Sequence, residues 1–431
     1  MEIHNLISFL GIFVCIGIGW LLSDDRRRMN WRAVIWGVTL QLAFALFIFV
    51  VPAGAKLFLC INNIVVRVLD ASSAGAKFVF GPLAIPPGAK GSLGFFLAFQ
   101  AFPTIIFFSA LVSILYFYGI LPAIIKACAR LFTWLMRVSG AESLCAACNI
   151  FVGVESAFVI KPHLADMTRS ELCVVLTAGM ATVASNVIAL YVFTLQRHFP
   201  TIAGHLVSAS ILSAPAALVM AKVMTPEKQN PKTLGMAVDP HYEKESSVFE
   251  AVVNGSQAGV KVITGIIALL IAVLGLVALL DLIVNGIGMK ANAAFGWSMD
   301  WSLKELLGYL FRPFVFALGI PLSDVPLAAR IIGERVVLTE VASYQDLAAA
   351  LASGAFHSAR TAVVTSYALC GFAHVASMAI FVGAVSALAP QRTATLSRLG
   401  LRALVAATLA CMMTACVAGT FFTGGSILLG R

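Results

Sequence analysis

Charge is what this 431-residue sequence has least of: only 11% of its residues are Asp, Glu, Lys or Arg, against 60% hydrophobic ones. A soluble domain carries roughly 25% charged residues, so a water-soluble globular protein is excluded. The signatures that the common hydrolases and nucleotide-driven machines require are also missing. There is no HExxH, no G-x-S-x-G and no Walker A string, which removes a zincin, a serine hydrolase and a P-loop ATPase. The nine cysteines fall mostly in apolar stretches and show no pairing pattern, so they suit small buried hydrophobes better than disulfides or a metal site. Cys145-Ala-Ala-Cys148 has redox spacing, but it lies in an apolar run with no βαβ context. The net charge of +9 is concentrated in loops, as the positive-inside rule demands, and nucleic-acid binding is not expected.

What is there is a series of apolar runs. A bilayer-crossing helix needs about 20 largely apolar residues. By that measure about eight spans are expected, near 5–23, 31–51, 102–120, 170–194, 200–222, 258–284, 362–388 and 401–423. No basic residue precedes the first span, and Asp24-Asp25-Arg26-Arg27-Arg28 follows it. It is therefore expected to be retained, with its amino terminus outside and the basic loop in the cytoplasm. Lys126, Arg130 and Arg137, and Arg392, Arg398 and Arg402, are placed inside by the same rule. The polar stretch 223–250 is expected to be a cytoplasmic linker. These assignments agree only if two segments enter and leave on one face, which predicts re-entrant hairpins.

The string GMATVAS at 179–185 returns as GFAHVAS at 371–377. Upstream of each copy lies a broken apolar segment with an acid near its apparent tip. In the first, Ser139-Gly140-Ala141-Glu142 is a capping box that starts a helical arm, Gly153 can turn the chain beside Glu155, and Pro162 ends the return arm. In the second, Gly333-Glu334-Arg335 and Thr339-Glu340 mark the tip. Hairpin 1 is set at about 141–165 and hairpin 2 at about 312–345. The chain then divides into 1–100 (two spans and an interfacial helix), 101–222 (first repeat), 223–250 (linker) and 251–431 (second repeat). Segments 58–80 and 122–138, apolar stripes with scattered Arg and Lys, are expected to lie in the interface. The fold class is an all-α polytopic membrane protein with about eight transmembrane helices, an inverted repeat and two hairpins from opposite faces. Inverted repeats with broken helices and a midplane site are the pattern of secondary transporters.

Ionisable and polar groups at membrane depth are costly, which singles out Glu155, Glu340, Thr182 and His374. Carbonyls at broken helices, with Asn149 and hydroxyl oxygens, make a hard-ligand cage that suits sodium. Carboxylates accept strong hydrogen bonds from a diol, and Phe372 is placed to stack on a planar ring or to fill the interior. The residues point to a neutral, polyhydroxylated, partly aromatic solute.

The strings SALVSILYFYGIL (109–121), AESLCAACNIFVG (141–153), MTRSEL (167–172), ALCGFAHVASMAIFVGAVSALAPQR (368–392) and LGLRALVAATL (399–409) resemble the concentrative nucleoside transporters over nearly the whole chain. The resemblance implies eight spans and two hairpins in a homotrimer of the inner membrane, with a transport domain moving elevator-fashion against a scaffold. It implies sodium ligands at Asn149, Val152, Thr182 and Val183, and substrate contacts at Glu155, Ser156, Val187, Glu340, Phe372, His374 and Ser377. The family has Ser at Thr182. It reads Gly-Gln-Thr/Ser-Glu where this chain has Gly153-Val154-Glu155-Ser156, and Phe-Ala-Asn where this chain has Phe372-Ala373-His374. The missing Gln is a base-contacting position in the family, and His374 stands for an Asn that contacts ribose. An unperturbed imidazole titrates near 6.5, so proton-sensitive affinity is expected of His374. A sodium-coupled nucleoside importer is the leading reading. The alternatives are a proton-coupled carrier of a modified nucleoside or nucleobase and, more remotely, an intramembrane enzyme.

Overall fold

The computed structural model describes residues 3–87, 89–153, 155–241, 245–296, 298 and 300–424. Among them the only regular elements are helices, joined by turns and one isolated bridge between Ser139 and Leu234. Eight helical segments are long and apolar enough to cross a bilayer. The expected number of eight is met, though not by the expected set.

The chain opens with α1 (Ile3–Leu21), α2 (Trp31–Phe49) and α3 (Pro52–Phe80). Asn30 caps α2 by accepting from the Ala33 amide at 3.1 Å. The segment expected in the interface from residue 58 belongs to a helix that starts at Pro52 and runs 29 residues, long enough in length and composition to cross as well. Pro52 sits in its first turn, where a missing N–H costs nothing. The Arg67, Asp70 and Lys77 that suggested an interfacial helix are carried on a helix long enough to cross. By contrast α5 (Ile120–Met136), after α4 (Phe102–Phe117), is short and amphipathic, in keeping with an interfacial position.

Hairpin 1 descends through α6 (Gly140–Cys148), turns near Gly153 and returns through the short α7 (Ser156–Val159) and α8 (Lys161–Leu164). Val154 lies outside the described residues. The capping box is formed: the Ser139 amide donates to Glu142 Oε1 at 2.7 Å, and the Glu142 amide donates back to Ser139 Oγ at 3.5 Å. The span expected over 170–194 is two helices, α9 (Arg169–Ala181) and α10 (Ser185–Leu195), parted by an unwound turn. Thr168 and Glu171 make a second capping box at the start of α9. Helix α11 (Ile202–Met224) carries Lys222 in its last turn, and its ammonium lies 2.8 Å from Glu142 Oε2 and 3.6 Å from Glu227 Oε2 and donates to Ser170 Oγ at 3.1 Å. One buried lysine thus ties the roots of hairpin 1, α9 and α11 together.

The linker after α11 is held against hairpin 1. The Gly140 amide donates to Thr233 O at 2.9 Å and the His241 amide to Val159 O at 2.9 Å. Its exposed Asp239 pairs with Lys126 of α5, and that ammonium holds the carboxyl below the usual carboxylate range. The apolar run at 258–284 is the middle of a far longer helix, α12 (Val248–Phe295, 48 residues), and none of its most apolar stretch is buried. It crosses α4 through Gly255 and Gly259, where a Cβ would lie 2.8 Å from Ala110 Cα and 2.7 Å from Ile106 Cα. Small residues four apart permit such backbone approach in membranes.

The second half repeats the plan. After the amphipathic α13 (Leu303–Ala317), hairpin 2 is α14 (Val325–Glu334) and α15 (Glu340–Ala352). Its arms therefore lie further along the chain than 312–345. Then come α16 (Ala359–Leu369) and α17 (Val375–Leu388), another helix broken in mid-course, and the buried α18 (Thr393–Phe421). The duplicated heptad marks the right elements in the wrong register. Gly179 lies inside α9, against Phe381, whereas Gly371 lies in the break itself, at a φ of 148° that only glycine adopts freely. The true correspondence is carried by backbone hydrogen bonds from each break to its hairpin. Ser185, the first residue of α10, donates to Phe151 O at 3.0 Å, and Val375, the first of α17, donates to Val336 O at 3.1 Å. Counting four residues on from each acceptor reaches Glu155 and Glu340.

Candidate functional site

The two tips and the two breaks meet around a cavity of about 190 Å³. Its polar groups are Glu155 and Asn186 from the first half and Thr339, Glu340, His374 and Ser377 from the second. Val187 and Phe372 add apolar surface, and α12 closes one side through Val262 to Leu270.

Glu340 is fixed by its place in α15. Thr339 is the cap, its backbone extended and its Oγ1 accepting from the Ala342 amide at 3.4 Å, so the carboxylate of Glu340 sits in the first turn, where a helix favours negative charge. Tyr191, on α10, donates to Oε1 at 2.7 Å. Its ring stacks on that of Tyr344, with centroids 4.3 Å apart. Oε2 lies 2.8 Å from His374 Nε2. His374 is the cap of α17, and its Nδ1 accepts from the Ser377 amide at 3.2 Å. A nitrogen that accepts carries no proton, so the neutral ring holds its proton on Nε2, facing Glu340 and the Ser377 hydroxyl at 2.6 Å. Tyr191, Glu340, His374 and Ser377 are thereby gathered into one buried polar cluster.

Glu155 is exposed and belongs to a second, larger space of about 500 Å³, which it shares with the first together with Gly153 and Asn186. That space runs along hairpin 1 past Tyr116 and Lys161 to His241 and Glu245 of the linker. The cavity therefore opens on the linker side.

Beside the cavity lies a set of neutral oxygens. Asn149 is fully buried; its Nδ2 donates to Cys145 O at 2.9 Å, and its Oδ1 has no partner. Thr182 donates to Ala178 O at 2.8 Å, leaving its oxygen lone pairs free. Ser210 Oγ spans the carbonyls of Ile150 at 2.9 Å and Val183 at 3.4 Å, which shows how closely the first tip approaches the first break. An orphaned buried acceptor among carbonyls fits a small hard cation such as sodium. No group of three or more His, Cys, Asp or Glu suited to a metal occurs among the described residues; a sodium cage of neutral oxygens needs none.

Of the residues singled out from sequence, the cavity gathers Glu155, Val187, Glu340, Phe372, His374 and Ser377. Ser156 does not line it: it is buried beneath hairpin 1, where the Cys145 thiol approaches its hydroxyl at 3.8 Å. Asn149, Val152, Thr182 and Val183 lie on the first tip and break. Cys145 and Cys148 are free thiols. Tyr191 and Asn186 were missed. Both follow the break on α10, and Asn186, with an unpartnered Oδ1, stands between the two spaces.

A helical membrane body with two mirrored hairpins around a central cavity defines a carrier and not an enzyme. Three sequence profiles match the chain: Na+ dependent nucleoside transporter N-terminus over 10–83, nucleoside recognition (gate) over 98–197, and Na+ dependent nucleoside transporter C-terminus over 205–419. An uncharacterized transporter of Haemophilus influenzae is 36% identical over 98% of this chain and 99% of its own length. Rat solute carrier family 28 member 3 is 34% identical over 96% of this chain, which spans 58% of that longer protein. The concentrative nucleoside transporter CNTnw, in an inward-facing substrate-bound state, superposes with a TM-score of 0.88 at 33% identity, covering 98% of this chain and 100% of that one. A CNTnw variant in an outward-facing state gives 0.87 at 32% identity, covering 97% and 98%. This chain belongs to the Na+ dependent, or concentrative, nucleoside transporter family.

Proposed function

We propose that the protein imports nucleosides coupled to sodium, as a homotrimer of the inner membrane with its amino terminus outside and the 223–250 linker in the cytoplasm. The observation that carries this reading is the juxtaposition of two unlike sites across one pair of tips and breaks. One is a cavity floored by a carboxylate that two neighbours hold in place; the other is a buried amide oxygen with nothing to bind. Glu340 takes the ribose hydroxyls, His374 and Ser377 complete the polar floor, and Phe372 lies against the base. Asn149, Thr182 and the carbonyls of Val152 and Val183 take the ion. With the ion bound, the first tip is ordered against the first break and the cavity is complete, so solute and ion cross together. The block of hairpins, breaks, α11 and α18 moves elevator-fashion against the α4–α12 wall, and the opening toward the linker corresponds to the inward-open end of that movement.

Uptake into proteoliposomes in sodium against choline buffer tests the coupling. Asn149→Ala is expected to raise the sodium concentration needed for half-maximal uptake at least about tenfold, equivalent to about 1.4 kcal/mol, while leaving the ranking of competing nucleosides unchanged. A changed ranking with an unchanged sodium requirement places the ion elsewhere.

A second reading, a proton-coupled carrier of a modified nucleoside or nucleobase, draws on His374 alone. Protonating Nδ1 would remove the acceptor for the Ser377 amide and add charge against Glu340, tying up the carboxylate that the solute needs. Affinity is therefore expected to fall on acidification, and His374→Asn to flatten that profile. An identical profile in the variant rejects the role. Uptake that persists in choline and follows a proton gradient favours the second reading over the first.

A further inference from the structure

The two halves answer one structural demand in opposite ways. In the register set by Phe151 and Val336, Asn149 corresponds to Glu334 and Ile150 to Arg335. At the first tip the unmet group is an acceptor, Asn149 Oδ1. At the second tip Glu334 Oε1 is unmet in the same way, and beside it so is a donor. Arg335 is fully buried; its Nη1 donates to Ala368 O, and its Nε and Nη2 have no partner. Ala368 is the penultimate residue of α16, at the end where helix carbonyls run out of intrahelical donors and partial negative charge collects. The guanidinium therefore lies between hairpin 2 and the second break, as the neutral-oxygen set lies between hairpin 1 and the first.

No carboxylate among the described residues pairs with Arg335. Its neighbour Glu334 is engaged by Lys304 of α13 at 2.7 Å, and Lys304 also meets Asp346 of the return arm. The other titratable groups facing Arg335 are Tyr344 and the thiols of Cys370 and Cys411, of which Cys411 is within side-chain hydrogen-bonding reach of the guanidinium; thiols are weak acceptors. A buried cation without a counter-ion is expensive and calls for a reason beyond filling space.

We propose that Arg335 is a tethered cation: it does for hairpin 2 what the sodium ion does for hairpin 1, holding the tip against the broken helix beside it. The inference rests on the sodium reading of the Asn149 site. It assigns Arg335 as a positioning residue for the solute site, because Val336 and Glu340 follow it on the same tip.

The test uses the full-length protein, with uridine uptake in proteoliposomes and thermal unfolding in detergent as separate readouts. Arg335→Ala is expected to lose at least about tenfold in uptake, to regain activity in low-millimolar guanidinium but not in equimolar urea, and to gain thermal stability from guanidinium that the wild type does not gain. Arg335→Lys is expected to keep most of the uptake. A folded Arg335→Ala that ignores guanidinium, or one that transports like the wild type, overturns the proposal. If Arg335→Ala does not fold, Arg335→Lys against Arg335→Gln decides: retained uptake only with lysine supports the tethered charge, and equal uptake overturns it. Sodium dependence of the wild type is read in the same preparation. Its absence sinks the sodium reading alone, whereas guanidinium insensitivity with sodium dependence intact sinks only the tethered cation.

Discussion

Glu340→Gln is expected to abolish high-affinity nucleoside binding while leaving the protein folded. Glutamine keeps the shape of the side chain and one carbonyl oxygen, so Tyr191 can still donate as it does to Oε1 at 2.7 Å. The charge is lost, and with it the second acceptor, which faces His374 at 2.8 Å. Hydrogen bonds to a charged acceptor contribute about 1.5–3 kcal/mol each, so weakening two bonds to ribose hydroxyls raises Kd by roughly 100-fold or more. Calorimetric titration with uridine and adenosine checks this, with the elution profile as the folding control. High-affinity binding that survives in the variant removes Glu340 from the solute site.

The largest effect on stability is expected at Lys222, far from the cavity. Its ammonium and the carboxylate of Glu142 are both buried, at 3% and 0% side-chain exposure. Neither can be screened by water once the other is gone. Lys222→Met leaves the Glu142 charge uncompensated at the root of hairpin 1, a change that costs about 3–5 kcal/mol and lowers the unfolding midpoint by roughly 3–6 °C. The double variant Lys222→Met with Glu142→Gln is expected to recover much of that loss, because the orphaned charge is removed as well. If the double variant is as unstable as the single, the lysine acts through its contact with Ser170 or Glu227 and not through Glu142.

The spans, the hairpins and the tip acids were legible in the sequence because apolar length, capping boxes and interrupted runs are local signals. Ser139 with Glu142 announced hairpin 1 before any tertiary contact was known. What was not legible depended on partners distant in the chain. The start of α3 at Pro52, ahead of the segment singled out from residue 58, was not marked by any local signal stronger than the proline itself. Helix α12 read as a span of ordinary length because only its middle is strongly apolar, yet its ends are set by Ser247, which caps it, and by Gly296, whose left-handed turn stops it. Tyr191 gave no signal, since one tyrosine in an apolar run is unremarkable until a carboxylate from 149 residues away meets it. The repeated heptad located both breaks but aligned them two residues out, because the second break is longer than the first. Ser156 was carried over from a pattern in which the local spacing differs, and burial beneath the hairpin is where the altered spacing puts it.

The close approach of the two unwound turns has a mechanical consequence. A Cβ on Gly371 would stand 2.7 Å from the carbonyl oxygen of Ala181 and 2.6 Å from Cys411 Sγ, so main chain lies close to main chain, with the Cys411 thiol bridging the Ala181 and Cys370 carbonyls. Ala181 immediately precedes the Thr182 and Val183 oxygens, and Gly371 immediately precedes Phe372. On the proposed reading, a displacement of a few tenths of an ångström at the proposed cation site is passed through these two turns and the Cys411 thiol to Phe372. Cargo and driving ion can thus sense each other through a shared partition one backbone thick.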